Sequence, residues 1–126
     1  MCSIAGFLCT QDFIPNELDF DDLMSYLSLR GPDNQNYTKD KNIFMAHGRL
    51  SIQDLKIRSN QPVRSENSVL VYNGEIYNFN HLSKKYKIPS SIVNSDTLAL
   101  KWLLDHYPIE EFLEDLNGMF SFAYYK

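Results

Sequence analysis

Residues 69–74 read Val69-Leu70-Val71-Tyr72-Asn73-Gly74: an apolar run followed by an Asn-Gly pair. β-branched and aromatic residues in so short a run predict a strand, and Asn-Gly predicts a turn that ends it. Downstream, Met119 to Tyr125 (MFSFAYY) reads as another strand. Upstream, Ile43 to Ala46 and Leu50 to Leu55 read as strands around a polar turn, and Ile4 to Leu8 as a strand near the amino terminus. Helical patterns lie between. Phe20, Leu23, Met24 and Leu27 recur at helical spacing over residues 20–29, with Asp19, Asp21 and Asp22 suited to the first turn and Gly31-Pro32 to the stop. A short helix is expected over residues 80–86. A longer one is expected from Ser95-Asp96-Thr97, which reads as a cap, to about His106. Pro108 suits the first turn of a last helix, with Ile109, Phe112, Leu113 and Leu116 as its stripe and Gly118 closing it. Strands stand first and last, with helices between and no βαβ rhythm, which predicts an α+β fold with largely antiparallel sheets. A hydrophobic strand at an extreme terminus needs neighbours on its edges, so the natural domain is expected to continue beyond Lys126.

The 126 residues suit one domain, read over residues 1–126, large enough to bury a core. The net charge of −4, from 12 basic and 16 acidic residues, argues against nucleic acid as a partner. The nearest thing to a basic cluster is Lys84-Lys85 with Lys87. No stretch approaches the roughly 20 apolar residues of a membrane span, and the start lacks the pattern of a signal peptide. Cys2 and Cys9 would close only a tiny loop, so a reducing, cytoplasmic setting is expected. Cys9 itself reads as a small core residue. His47, His81 and His106 have no metal-ligand spacing, with or without the cysteines, and no metal site is expected. The acidic run Asp19-Phe20-Asp21-Asp22 lacks calcium-loop spacing, and no Gly-rich phosphate loop is present.

Chemistry enters with Cys2. Removal of Met1 would place a thiol and a free α-amine on one residue. An α-amine with a reference pKa of about 7.7–8.0 is partly unprotonated near neutrality and can act as base for its own side chain. A strand from Ile4 would hold that terminus rigidly. Taken alone, a cysteine at position 2 is more often incidental.

Its company changes the weighing. In order come Cys2-Ser3-Ile4-Ala5-Gly6, Arg30-Gly31-Pro32-Asp33, His47-Gly48-Arg49-Leu50-Ser51-Ile52 and Gln61-Pro62. Then follow Tyr72-Asn73-Gly74-Glu75-Ile76-Tyr77-Asn78, Ser95-Asp96-Thr97 and Leu116-Asn117-Gly118-Met119-Phe120. This ordered set resembles the class II glutamine amidotransferase domain, and specifically that of glutamine-dependent asparagine synthetases. The aromatic residue before Asn-Gly-Glu-Ile-Tyr-Asn carries the narrower likeness. Sugar- and peptide-modifying relatives share that pattern, which leaves the ammonia acceptor open.

The resemblance implies an N-terminal-nucleophile hydrolase fold, an αββα sandwich of antiparallel sheets, incomplete here at its carboxyl end. It implies Cys2 as the nucleophile that attacks the side-chain amide of glutamine, with the Asn73 amide and the Gly74 backbone N–H as oxyanion donors. Losing one such donor typically costs about 2.7–4 kcal/mol of barrier. Arg49 would grip the α-carboxylate through its planar fork and Asp96 the α-ammonium, with Glu75 assisting and Leu50 and Ile52 lining the pocket through their backbone. Each has a plainer alternative: Asn73-Gly74 as a simple turn, Arg49 as a surface cation, Asp96 as a helix cap. Arg30 and Asp33 belong to a motif kept near the nucleophile, where Gly31-Pro32 equally suits a structural turn. Gly48 and Leu98 stand where the family often has bulkier or acidic residues. The partners implied are L-glutamine and a synthetase domain or subunit that receives ammonia, with a homodimer as an assembly to consider. No cofactor is expected in this chain. ATP and magnesium belong to a synthetase domain whose Ser-Gly-Gly signature is absent from these residues. Two other readings stand beside this one: a non-catalytic truncated remnant or binding module, and an amidotransferase for a sugar or peptide acceptor.

Overall fold

The structure, a computed structural model, describes residues 1–10, 20–40, 42–52 and 55–126. Six strands and four helices are placed among these residues: β1 (Ser3–Leu8), α1 (Phe20–Ser28), β2 (Asn34–Asp40), β3 (Ile43–Arg49), β4 (Val63–Arg64), β5 (Val69–Ile76), α2 (Phe79–Lys85), α3 (Asp96–His106), α4 (Ile109–Phe112) and β6 (Gly118–Tyr125). They form two antiparallel sheets of three strands, ordered β1-β3-β2 and β4-β5-β6. The expected α+β class with antiparallel sheets is what the chain adopts.

The layering follows from the two-residue period of a strand. In β3, Phe44 and Ala46 face Leu27 of α1, joined by Phe7, Phe20, Leu23 and Met24. Their neighbours Ile43 and Met45 point the other way and meet Val69 and Val71 of β5, with Ile4 at the margin. In β5, the alternate residues Leu70, Tyr72 and Ile76 pack against Leu82, Leu100, Leu103 and Phe112 of α2, α3 and α4. The order is therefore α1, first sheet, second sheet, then the remaining helices. A central strand covered on both faces reads as a continuous apolar run. β3 is buried along its whole length for that reason. β6 lies at a sheet edge, and its residues alternate between half-buried and exposed.

Several local expectations change. Residues 34–40 (NQNYTKD) form β2, although Asn, Asp and Lys are poor strand formers. Its full-length pairing with β3, from Asn34 opposite Arg49 to Asp40 opposite Ile43, overrides that preference. His47 to Arg49 continue β3 instead of turning. Leu50 to Ile52 and Leu55 lie outside any strand, and a 3-10 turn follows at Ile57–Ser59. Residues 53 and 54 of that expected strand, like Asp19, fall outside the described residues. Asn73-Gly74 does not end the strand. β5 continues to Ile76 because β6 pairs with it throughout, Asn73 opposite Ser121 and Gly74 opposite Phe120. Gly118 opens β6, where an added Cβ would lie 2.0 Å from the Glu75 carbonyl oxygen. Cys9 is half-buried instead of in the core.

Candidate functional site

Cys2 immediately precedes β1, whose first residue Ser3 pairs with Gly48 of β3. That pairing brings the thiol to the end of β3, where it faces the backbone of Leu50. The Leu50 N–H donates to Sγ at 3.4 Å, and the thiol lies 3.6 Å from the Leu50 carbonyl oxygen. The loop after β3 is braced from the Gly31-Pro32-Asp33 turn. Asp33 Oδ2 accepts from the Ser51 N–H at 2.6 Å, and the Asp33 N–H donates to the Arg49 carbonyl at 2.9 Å. A side chain at Gly31 would meet the Gly48 carbonyl carbon at 2.0 Å, so only glycine lets the turn lie this close. The Arg30–Asp33 motif thus shapes the backbone next to Cys2, with Asp33 as its anchor.

Arg49, the last residue of β3, is 5% exposed. Its guanidinium Nη1 donates to the Asn60 side-chain oxygen at 2.5 Å and to the Lys56 carbonyl at 3.2 Å. It is a buried, oriented cation and not a surface one. Asp96, also 5% exposed, begins α3. The cap of that helix is Ser95, whose Oγ accepts from the Leu98 N–H at 3.3 Å. Asp96 is the first residue of the helix and not its cap. Its Oδ1 accepts from the Thr97 N–H at 2.8 Å, and its Oδ2 from the Tyr72 hydroxyl at 2.6 Å and the Ile76 N–H at 3.2 Å. Three donors thus converge on its carboxylate at the N-terminus of α3.

Gly74 has φ +147°, a region that L side chains rarely adopt, and a Cβ there would lie 2.2 Å from the Met119 carbonyl oxygen. This conformation falls inside β5, one residue before Glu75. Gln61, which precedes a cis bond to Pro62, takes the place of a neighbouring strand beside Tyr72. Its side-chain oxygen accepts from the Tyr72 N–H at 2.6 Å and its amide donates to the Tyr72 carbonyl at 3.0 Å. His47, wholly buried, lies 3.1 Å from the same carbonyl through Nε2. Burial pushes the imidazole down to about 4, helped by the nearby Arg49 charge and opposed by the bond to Tyr72. His47 is therefore neutral at pH 7, and Nε2 donates. Burial and the Asp96 carboxylate raise the Tyr72 phenol above its ordinary value, so it stays protonated.

Seven of the eight residues singled out in the sequence line one cleft: Cys2, Arg49, Leu50, Ile52, Gly74, Glu75 and Asp96. Its empty space is about 460 Å³ with the open mouth included. Asn73 is adjacent on β5 but does not line the cleft, and its Oδ1 is buried without a partner among the described residues. The cleft also gathers Ser59, Gln61, Tyr72, Ser95 and Thr97, none of which the sequence had marked as a residue of the site. Gln61 and Tyr72 stand in the ordered motif set, but no local spacing shows that one clamps the other. Among the described residues no group of three or more His, Cys, Asp or Glu could hold a metal ion, and no helix is long and apolar enough to cross a membrane.

A thiol, a buried guanidinium and a buried carboxylate around one small cleft suit a zwitterionic amino acid. The chain matches, over residues 1–126, the family model described as a glutamine amidotransferase domain, and it belongs to that family. It is 34% identical over 128 residues to asparagine synthetase B (glutamine-hydrolyzing) of Escherichia coli K12, covering 99% of this chain and 23% of that protein. Against asparagine synthetase (glutamine-hydrolyzing) 1 of Arabidopsis thaliana it is 32% identical over 126 residues, or 98% of this chain and 21% of that protein. Asparagine synthetase (glutamine-hydrolyzing) 2 of Bacillus subtilis 168 is 34% identical over 128 residues, or 98% and 17%. The chain thus spans about a fifth of the length of these relatives.

Proposed function

We propose that the chain is the glutaminase portion of an asparagine synthetase-type amidotransferase and releases ammonia from L-glutamine through a thioester on Cys2. The observation that carries this reading is the convergence of Cys2, Arg49, Gly74 and Asp96 on one cleft. Arg49 and Asp96 have opposite charges and bind the α-carboxylate and α-ammonium, which leaves the substrate's side-chain amide directed at the thiol. With Met1 removed, the Cys2 amine takes the thiol proton as sulfur attacks the amide carbon. The Gly74 N–H, with the Asn73 amide, stabilises the oxyanion that forms. The amine returns the proton to the departing nitrogen, ammonia leaves, and water then splits the thioester to give glutamate. Glu75 borders the same cleft and assists at the substrate's amide or ammonium.

The acceptor of the ammonia in this proposal is an aspartyl intermediate made by a synthetase domain or subunit with ATP and magnesium. Cytoplasmic residence is part of the proposal, because a reducing setting keeps Cys2 and Cys9 as thiols. The test is glutamate release from L-glutamine by the wild type and by Cys2→Ala. Wild-type turnover that vanishes in the variant is expected; turnover that survives refutes the mechanism.

A further inference from the structure

Asp96 is a nearly buried carboxylate, and no lysine or arginine among the described residues pairs with it. A buried charge without a counter-ion is held by hydrogen bonds, and each bond also sets its direction. Two of its three donors are backbone N–H groups, of Thr97 within its own helix and of Ile76 at the end of β5. The third is the Tyr72 hydroxyl, 2.6 Å from the same Oδ2 that Ile76 contacts. Tyr72 is itself held rigidly. Its backbone N–H and carbonyl are both bonded to the Gln61 side chain, and the carbonyl also to His47. Its ring lies against the helices over β5, and it lines the cleft together with Asp96.

We propose that Tyr72 is a positioning residue that sets the recognition of the substrate's α-ammonium by fixing the orientation of Asp96. This rests on the amidotransferase reading and deepens it. With Oδ2 already accepting from Tyr72 and Ile76, the carboxylate cannot turn away from the cleft, and its remaining lone pairs are available to a cationic ligand. The phenol suits this because it donates while remaining neutral. A hydroxyl is required, not merely an aromatic ring: phenylalanine would fill the same space and leave Asp96 with two backbone donors. The selectivity of the site for amino acids over their des-amino counterparts thus depends on Tyr72, while the attack on the amide does not.

The test uses Cys2→Ala, which leaves substrate intact, as the background for Tyr72→Phe. Calorimetry gives the Kd of L-glutamine and of 4-carbamoylbutyrate, which is glutamine without its α-amine. Tyr72→Phe is expected to weaken L-glutamine about tenfold, as for one hydrogen bond to a charged group, while 4-carbamoylbutyrate stays within about twofold. Equal weakening of both ligands, or of neither, overturns the positioning role. Absence of glutamine binding in the parent Cys2→Ala chain instead overturns the amidotransferase reading, and this inference with it. Should Tyr72→Phe fail to unfold cooperatively, Tyr72→Met, which also lacks the hydroxyl, is read by the same ratio.

Discussion

Gly74→Ala combines two separable costs. The residue has φ +147°, and an alanine Cβ would lie 2.2 Å from the Met119 carbonyl oxygen, 2.5 Å from Phe120 Cα and 2.7 Å from Phe120 Cβ. The two closest are backbone atoms of β6, the strand that pairs with β5 over eight residues from Val69 to Ile76. They cannot withdraw by a side-chain rotation. Holding alanine at this φ costs about 1–3 kcal/mol, and forcing the strands apart about 1–3 kcal/mol more. The expected loss is about 2–6 kcal/mol, a large part of the roughly 5–15 kcal/mol that stabilises a typical domain. Urea unfolding followed by Trp102 fluorescence measures it, with the midpoint lowered and the slope unchanged. Because Gly74 also lines the cleft, glutaminase turnover should fall by more than the folded fraction alone explains. A Gly74→Ala chain within about 0.5 kcal/mol of wild type, the usual range for a harmless surface change, would refute both the close approach and the need for glycine.

Two further outcomes follow from the groups around Tyr72. His47 has its folded pKa pushed down to about 4 from 6.5. The unfolded chain thus binds the proton first, and stability is lost as pH falls from about 6.5 toward 4, by about 3 kcal/mol. His47→Gln should flatten that part of the stability profile in thermal melts taken across the pH range; an unchanged slope would count against a neutral buried imidazole. Gln61→Leu removes the side chain that bonds both backbone groups of Tyr72, and should cost about 1–3 kcal/mol. Amide exchange at Tyr72 is expected to speed up in that variant, and unaltered protection would contradict the clamp.

Residues that make contacts on both faces were readable in the sequence. Ile43 to Ala46 and Val69 to Tyr72 are apolar at every position because both sides of each strand are covered. β6 was readable because Met119 to Tyr125 (MFSFAYY) is a run rich in aromatic residues. α3 was readable from Ser95 onward, though the cap proved to be Ser95 alone and left Asp96 for the cleft. β2 was not readable. Its residues are polar, and it is a strand only because β3 supplies its hydrogen bonds. The same long-range pairing defeated the turn reading of Asn73-Gly74, where β6 supplies partners through Ile76.

The site divides along the same line. Residue types in order, from Cys2 through Arg49 and Asn73-Gly74 to Asp96, were enough to name candidates and the chemistry they suit. The sequence by itself determined which residues carry reactive or charged groups and which segments must be buried, because both are properties of side chains and their local period. Only the tertiary structure decided that Arg49 and Asp96 are buried, that Gln61 closes the edge of β5 at Tyr72, and that the Tyr72 hydroxyl meets Asp96 across 24 residues of chain. Those contacts join separate elements, and their geometry comes from the packing of two sheets and their helices, which no local pattern encodes.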